Sequence, residues 1–135
     1  MANGLYDRGR QGFLSGEIDW DAQTIKLMLI DAADDTVSLS ADNALSDRAG
    51  AARVATSGAF ASKTTTAGVA DAADVTLSTV TGDQSESIDI FLDSGTESTS
   101  WLICNVDTAT GLPVTPNGGD IIIQFDNGSN RIFKL

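Results

Sequence analysis

The sequence contains no histidine, one cysteine, two prolines and eight Lys or Arg residues among 135. Each shortage excludes something. Without histidine there is no Ser-His-Asp or Cys-His arrangement, and the commonest general base is missing. One cysteine and no histidine also make a zinc site a poor reading, and a single thiol cannot form an internal disulfide. Cys104 lies in the apolar run Trp101-Leu102-Ile103-Cys104. A free thiol in such a run is expected to pack as a small buried hydrophobe. No apolar stretch approaches the ~20 residues of a membrane span. No GxxxxGK[ST] phosphate loop is present. Catalytic, cofactor-binding and metal-ligating residues are therefore expected to be absent, and the chain is not expected to be an enzyme.

Positive charge is scarce, and the formal net charge is −11. That balance disfavours nucleic acid and anionic membranes as partners, since both require a positive field. From Thr64 to Asn130 there is no Lys or Arg, while ten acids occur. One reading is a solvated acidic surface that keeps the protein soluble. A compatible one is a polarised molecule with a basic end turned to a partner. The segment MANGLYDRGRQGF has no apolar stretch after its basic residues, so it does not read as a secretory signal, and synthesis in a cytoplasm is expected.

What is present is a chain of ordinary domain size, 41% apolar, with mean hydropathy near zero. Such a chain can bury a core without staples. Residues 1–16 stand apart as an arm, and 17–135 read as a single β domain. Gly4, Gly9, Gly12 and Gly16 punctuate the arm. Asn3 is a candidate cap for a short helix there, with Leu5, Gly9 and Phe13 on one face. Each glycine costs about 1 kcal/mol of helix stability, so the helix must gain order by packing. Its own domain and a neighbouring protein are both open as the surface it packs on. If it packs on a neighbour, a chain lacking 1–16 should still fold.

Beyond the arm the period becomes two. Thr24–Asp31 reads as a strand with both faces covered, Ile25, Leu27 and Leu29 pointing one way and Lys26, Met28 and Ile30 the other. Thr36–Ser40 reads as a short strand or extended segment, and Ala41–Gly50 as polar with a helical turn capped by Ser40. Weaker strands are expected at Arg53–Thr56 and Ala59–Thr65, and a clearer one at Val75–Thr81. Ser87–Asp93 and Trp101–Val106 are strong. Asp120–Asp126 and Arg131–Leu135 flank Asn127-Gly128-Ser129-Asn130 and predict a hairpin. Altogether this predicts a mainly β fold, an antiparallel β-sandwich or barrel of about eight short strands with a short N-terminal helix or arm.

The other residues that could carry chemistry have a simpler reading. The pairs Glu17 with Asp19, and Glu86 with Asp89, are carboxylates of the type glycosidases use, but acid-rich chains supply such pairs by chance. Asp19-Trp20-Asp21 and the acids of 31–35 lack EF-hand spacing and read as turn formers. Trp20 and Trp101 invite a sugar-stacking reading, against which a core or arm-anchoring role is favoured.

Four stretches carry a resemblance: the opening MANGLYDRGRQGFLSGEIDW, then ARVATSGAF, TGDQSES and the ending TATGLPVTPNGGDIIIQFDNGSNRIFKL. With them the chain resembles small structural, decoration- or cement-like virion proteins of tailed bacteriophages, a largely uncharacterised group. The resemblance implies a virion structural protein, above all a head decoration protein on the capsid exterior that stabilises the shell at subunit joints. Its implied partner is the major capsid protein, with self-assembly as a dimer or trimer. A tail, neck or fibre component and a carbohydrate-binding adhesin module are the alternatives. The candidate partner contacts are Leu5, Tyr6, Arg8, Arg10, Phe13 and Trp20.

Overall fold

A computed structural model describes residues 3–135. Nine short strands dominate it: β1 (Gly4–Leu5), β2 (Ile25–Ile30), β3 (Arg53–Thr56), β4 (Val69–Ala70), β5 (Val75–Leu77), β6 (Ser87–Leu92), β7 (Leu102–Val106), β8 (Ile121–Ile123) and β9 (Phe133–Lys134). One α-helix, α1 (Asp7–Ser15), joins them with four single 3-10 turns. Five strands form an antiparallel sheet in the order β1-β7-β6-β2-β3, and β4-β9 and β5-β8 form two antiparallel pairs. The architecture is mainly β, as the alternation predicts. Among the described residues no helix is long and apolar enough to cross a membrane.

The central strands are apolar on both faces because both are covered. Ile25, Leu27 and Leu29 stand opposite Leu92, Ile90 and Ile88. These six side chains share a core with Trp20, Phe60 and Leu77, and Ile121, Ile123 and Phe133 of the small pairs pack against it. That makes a sandwich-like layering of β4-β9 and β5-β8 over the large sheet. On the other face Met28, Ile30, Phe91 and Leu102 pack with Tyr6 and Ala52, under Val37 and Leu39.

The arm is built into this domain. β1 pairs with β7, Gly4 opposite Asn105 and Leu5 opposite Cys104, and Tyr6 is buried. Of the two surfaces left open for the segment, residues 3–15 take their own domain; Met1 and Ala2 of the arm lie outside the described residues. Against the expectation that a chain lacking 1–16 would fold stands this packing, since its removal would strip a strand and a core tyrosine. Asn3 does not cap α1, whose N-cap is Tyr6. Its side-chain oxygen instead accepts the N–H groups of Asp107 and Thr108, and its Nδ2 donates to the Thr108 carbonyl. The helix glycines have a packing cause. A Cβ on Gly9 would fall 2.7 Å from the Ile103 carbonyl oxygen, so only glycine lets α1 lie this close to β7. Gly16 ends the helix at φ 76°.

Three local expectations fail. The hairpin at the end of the chain does not form. β8 pairs with β5 and β9 with β4, so 121–134 runs in one direction along 69–77, with the 127–130 turn as an excursion. The apolar side chains Ile121, Ile123, Phe125 and Phe133 all reach the same core, so no reversal is needed. Of the two readings of Thr36–Ser40 the strand is not taken, which leaves the other open: Val37 and Leu39 pack inward, and the Leu39 carbonyl accepts the Asp7 N–H at 2.8 Å. Ala59–Thr65 forms no strand and meets its neighbours at points: Phe60 N–H to the Ile25 carbonyl, Ala73 N–H to the Ala61 carbonyl and a bridge at Thr64 with Asp71. The turn in 41–50 falls at Leu45–Asp47, with Ala44 rather than Ser40 at its N-cap.

Candidate functional surface

The six candidate contacts divide into two groups. Tyr6 and Arg8 are spent inside the domain. Arg8 stacks its guanidinium 3.9 Å over the Trp101 ring and places Nη2 2.6 Å from the Glu17 carboxylate. The other four gather around Phe133. Phe13 of α1 meets the Phe133 ring at a centroid distance of 5.8 Å, and a cleft opens on each side of that pair. Leu5 and Arg10 line the smaller one, about 300 Å³, where Arg10 Nη1 caps the edge of β1 at the Leu5 carbonyl and also bonds Asp7. Trp20 lies at the floor of the larger one, about 340 Å³, beside Phe13, Val69, Phe133 and Leu135.

This larger cleft brings the sequence's distant apolar residues to one surface. Leu135 is 62% exposed, and Leu14, next to Phe13 on α1, is 91% exposed. Trp20 itself is only 3% exposed. Its Nε1 donates to the Asp71 carbonyl at 3.1 Å, and the rings of Phe60 and Phe133 meet it edge-on at 6.0 and 5.4 Å. Trp20 is buried and Arg8 covers a face of the Trp101 ring, which weakens the observation behind sugar stacking. Trp20 shapes the cleft; Phe13, Leu135 and the rim residues Asp19 and Asp21 are what a partner would meet.

Sequence reading missed a buried charge network on the opposite face of the sheet. The Arg48 side chain is fully buried. Its Nε donates to Asp89 Oδ2 at 3.0 Å, Nη1 to Asp35 at 3.2 Å, and Nη2 to Asp42 at 2.9 Å and to the Tyr6 hydroxyl at 3.1 Å. The Tyr6 hydroxyl donates to Asp89 Oδ1 at 2.6 Å, and Asn105 Nδ2 donates to the same oxygen at 2.8 Å. Burial, with the Asp89 charge beside it, holds the Tyr6 hydroxyl protonated far above its usual range. Burial also pushes the Asp89 carboxyl up, against the Arg48 charge and the Asn105, Tyr6 and Arg48 hydrogen bonds. For Arg48 burial acts downward, but Asp89 and its neighbours outweigh it and fix the positive charge. The network ties the arm, strand β6 and the 31–52 segment into one unit. It is sealed from solvent at Arg48 and Asp89, so its chemistry is structural. One signal was available: Asp89 interrupts the apolar run Ile88-Asp89-Ile90 of a strand expected to be covered on both sides.

The remaining acids are also engaged locally. Glu17 pairs with Arg8, and Glu86 accepts the Ala32 N–H at 2.8 Å. Asp31, Asp34 and Asp83 each bring a carboxylate oxygen within 4.8 Å of the others, while Asp31 also accepts the Ala33 N–H as a turn former. Burial, then the Asp89 charge, raises the Cys104 thiol well above its usual range, which keeps it in the unreactive form. No protein-family model matches the chain, and no curated protein matches it in sequence.

Proposed function

We propose that this chain is a virion structural protein of a tailed bacteriophage, a head decoration protein that binds the outer capsid surface and stabilises the shell at subunit joints. The resemblance of its opening and closing stretches supports the particle assignment. The single structural observation that favours a binding role is the apolar cleft between α1 and β9, with Leu135 exposed at its edge beside acidic rim residues and Leu14 exposed on α1. Large exposed apolar side chains grouped with a cleft mark an interaction surface. The domain around it is rigidly tied by the Arg48 network, as a clamp between capsid subunits requires.

In this reading the major capsid protein covers the α1–β9 face. A dimer or trimer of the chain would sit on a local symmetry axis of the shell, and the acidic remainder would face solvent. Co-sedimentation tests it. Purified chain is mixed with capsids lacking the protein and, separately, with isolated tails. Saturable binding to capsids, lost in Leu135→Asp and Phe13→Asp, is expected. Binding to tails alone would move the chain to a tail or neck position.

A further inference from the structure

We infer that the larger α1–β9 cleft receives an apolar side chain flanked by lysine or arginine, supplied by a partner protein and not by a second copy of this chain. The inference rests on the partner-binding reading above and gives the partner a chemistry. The floor at Phe13, Trp20, Val69 and Phe133 is apolar, and about 340 Å³ leaves space for a large side chain. Its rim is anionic. Asp19 Oδ1 accepts the N–H groups of Asp21 and Ala22, and Asp21 Oδ2 accepts the Thr65 hydroxyl at 3.0 Å. Among the described residues neither carboxylate has an ion-pair partner, so both charges stay uncompensated at the mouth of an apolar cleft.

A second copy has few free cations to offer. Arg8, Arg10, Lys26, Arg48, Arg53 and Arg131 are each paired with one of the chain's own carboxylates. Lys63 donates to the Gln23 carbonyl. Of the eight basic residues only Lys63 and Lys134 lack a carboxylate partner among the described residues. Two copies docked through this cleft would bring together molecules of charge −11 with two unpaired lysines each. A basic segment from another protein meets the rim without that repulsion and buries its apolar side chain on the floor.

Amide chemical shifts of the full chain test this with three peptides: acetyl-GKFKG-amide, acetyl-GEFEG-amide and acetyl-GKGKG-amide. The first should shift the amides of Thr65, Gly68 and Val69. The second and third should bind about tenfold more weakly or worse, through like-charge repulsion and the lost apolar anchor respectively. The double variant Asp19→Asn/Asp21→Asn keeps the turn acceptors and removes the charge. It should bind acetyl-GKFKG-amide about three- to tenfold more weakly with an unchanged melting temperature. Equal binding of the acidic peptide, shifts elsewhere or no shifts would overturn the inference. So would a dimer in sedimentation equilibrium that Leu135→Ser dissociates, which would assign the cleft to a second copy. The peptide preference does not depend on where the chain sits in a particle. Its survival in a chain that binds no capsid would overturn the proposed function alone.

Discussion

Arg48 carries more of the fold than any other polar side chain. Removing it leaves Asp89 buried with an uncompensated charge, which typically costs about 3–5 kcal/mol. Arg48→Ala should therefore lose most of the stability of a domain this size, read from urea unfolding. The double variant Arg48→Met/Asp89→Leu should recover a large part of that loss, because it removes the charge together with its partner. An equal loss in both would show that the network matters through packing alone. Tyr6→Phe deletes only the hydroxyl that bridges Asp89 and Arg48. It should cost about 1–3 kcal/mol, the range for stranding a buried acceptor. Beyond Asp89's interruption of an apolar strand, little of this was legible in the sequence, because Tyr6, Arg48, Asp89 and Asn105 are spread along the chain and share no motif. The apolar set was legible: Ile25, Leu27, Leu29, Ile88 and Ile90 alternate in sequence and lie on one face.

Among the elements, α1 shows how tertiary packing overrides propensity. By propensity alone Gly9→Ala and Gly12→Ala should each add about 1 kcal/mol of helix stability. The structure predicts otherwise. A methyl at Gly9 meets the backbone of Ile103 and Leu102 within 3.0 Å, whereas at Gly12 it meets the flexible end of Ile18. Gly9→Ala should lower the melting temperature clearly and Gly12→Ala much less; the reverse order would contradict the docking of α1 on β7. The strands β2, β6 and β7 were readable from period-two alternation, since they are long enough to show it. The pairing of β8 and β9 was not. Turn residues at 127–130 mark a break in the ladder, but a break serves an excursion as well as a reversal. Only the long-range partners, residues 69–77, decide between them.

Over the whole molecule, carboxylates set the acid limit. Glu17 is held below its usual range by hydrogen bonds from Ser15 and Arg8, Asp47 by the N–H groups of Asn43 and Ala44, Asp93 by Lys26 and the Gly95 N–H, and Glu97 by Arg53. A lowered carboxyl gives stability that is complete above its unfolded value, near 4, and is lost as pH falls through its folded value. Asp89 has the opposite sign: raised by burial, it binds its proton more readily in the folded state and so favours folding as pH falls. Shrinking net charge toward the pI of about 4.1 also relieves self-repulsion. The four lowered groups should dominate below about pH 4. Urea midpoints should therefore hold between neutral pH and about pH 5 and drop steeply below pH 4. A midpoint still rising at pH 3 would show that Asp89 and charge relief outweigh them.

The proposed role is tested most directly by a cryo-microscopy map of the intact phage particle in which the proposal places this chain. The account predicts the domain on the outer capsid surface, with α1 and β9 facing the shell and a basic, apolar-tipped segment of the capsid protein in the cleft beside Trp20. Density only in the tail, or a capsid-bound domain whose α1–β9 face points to solvent, would contradict it.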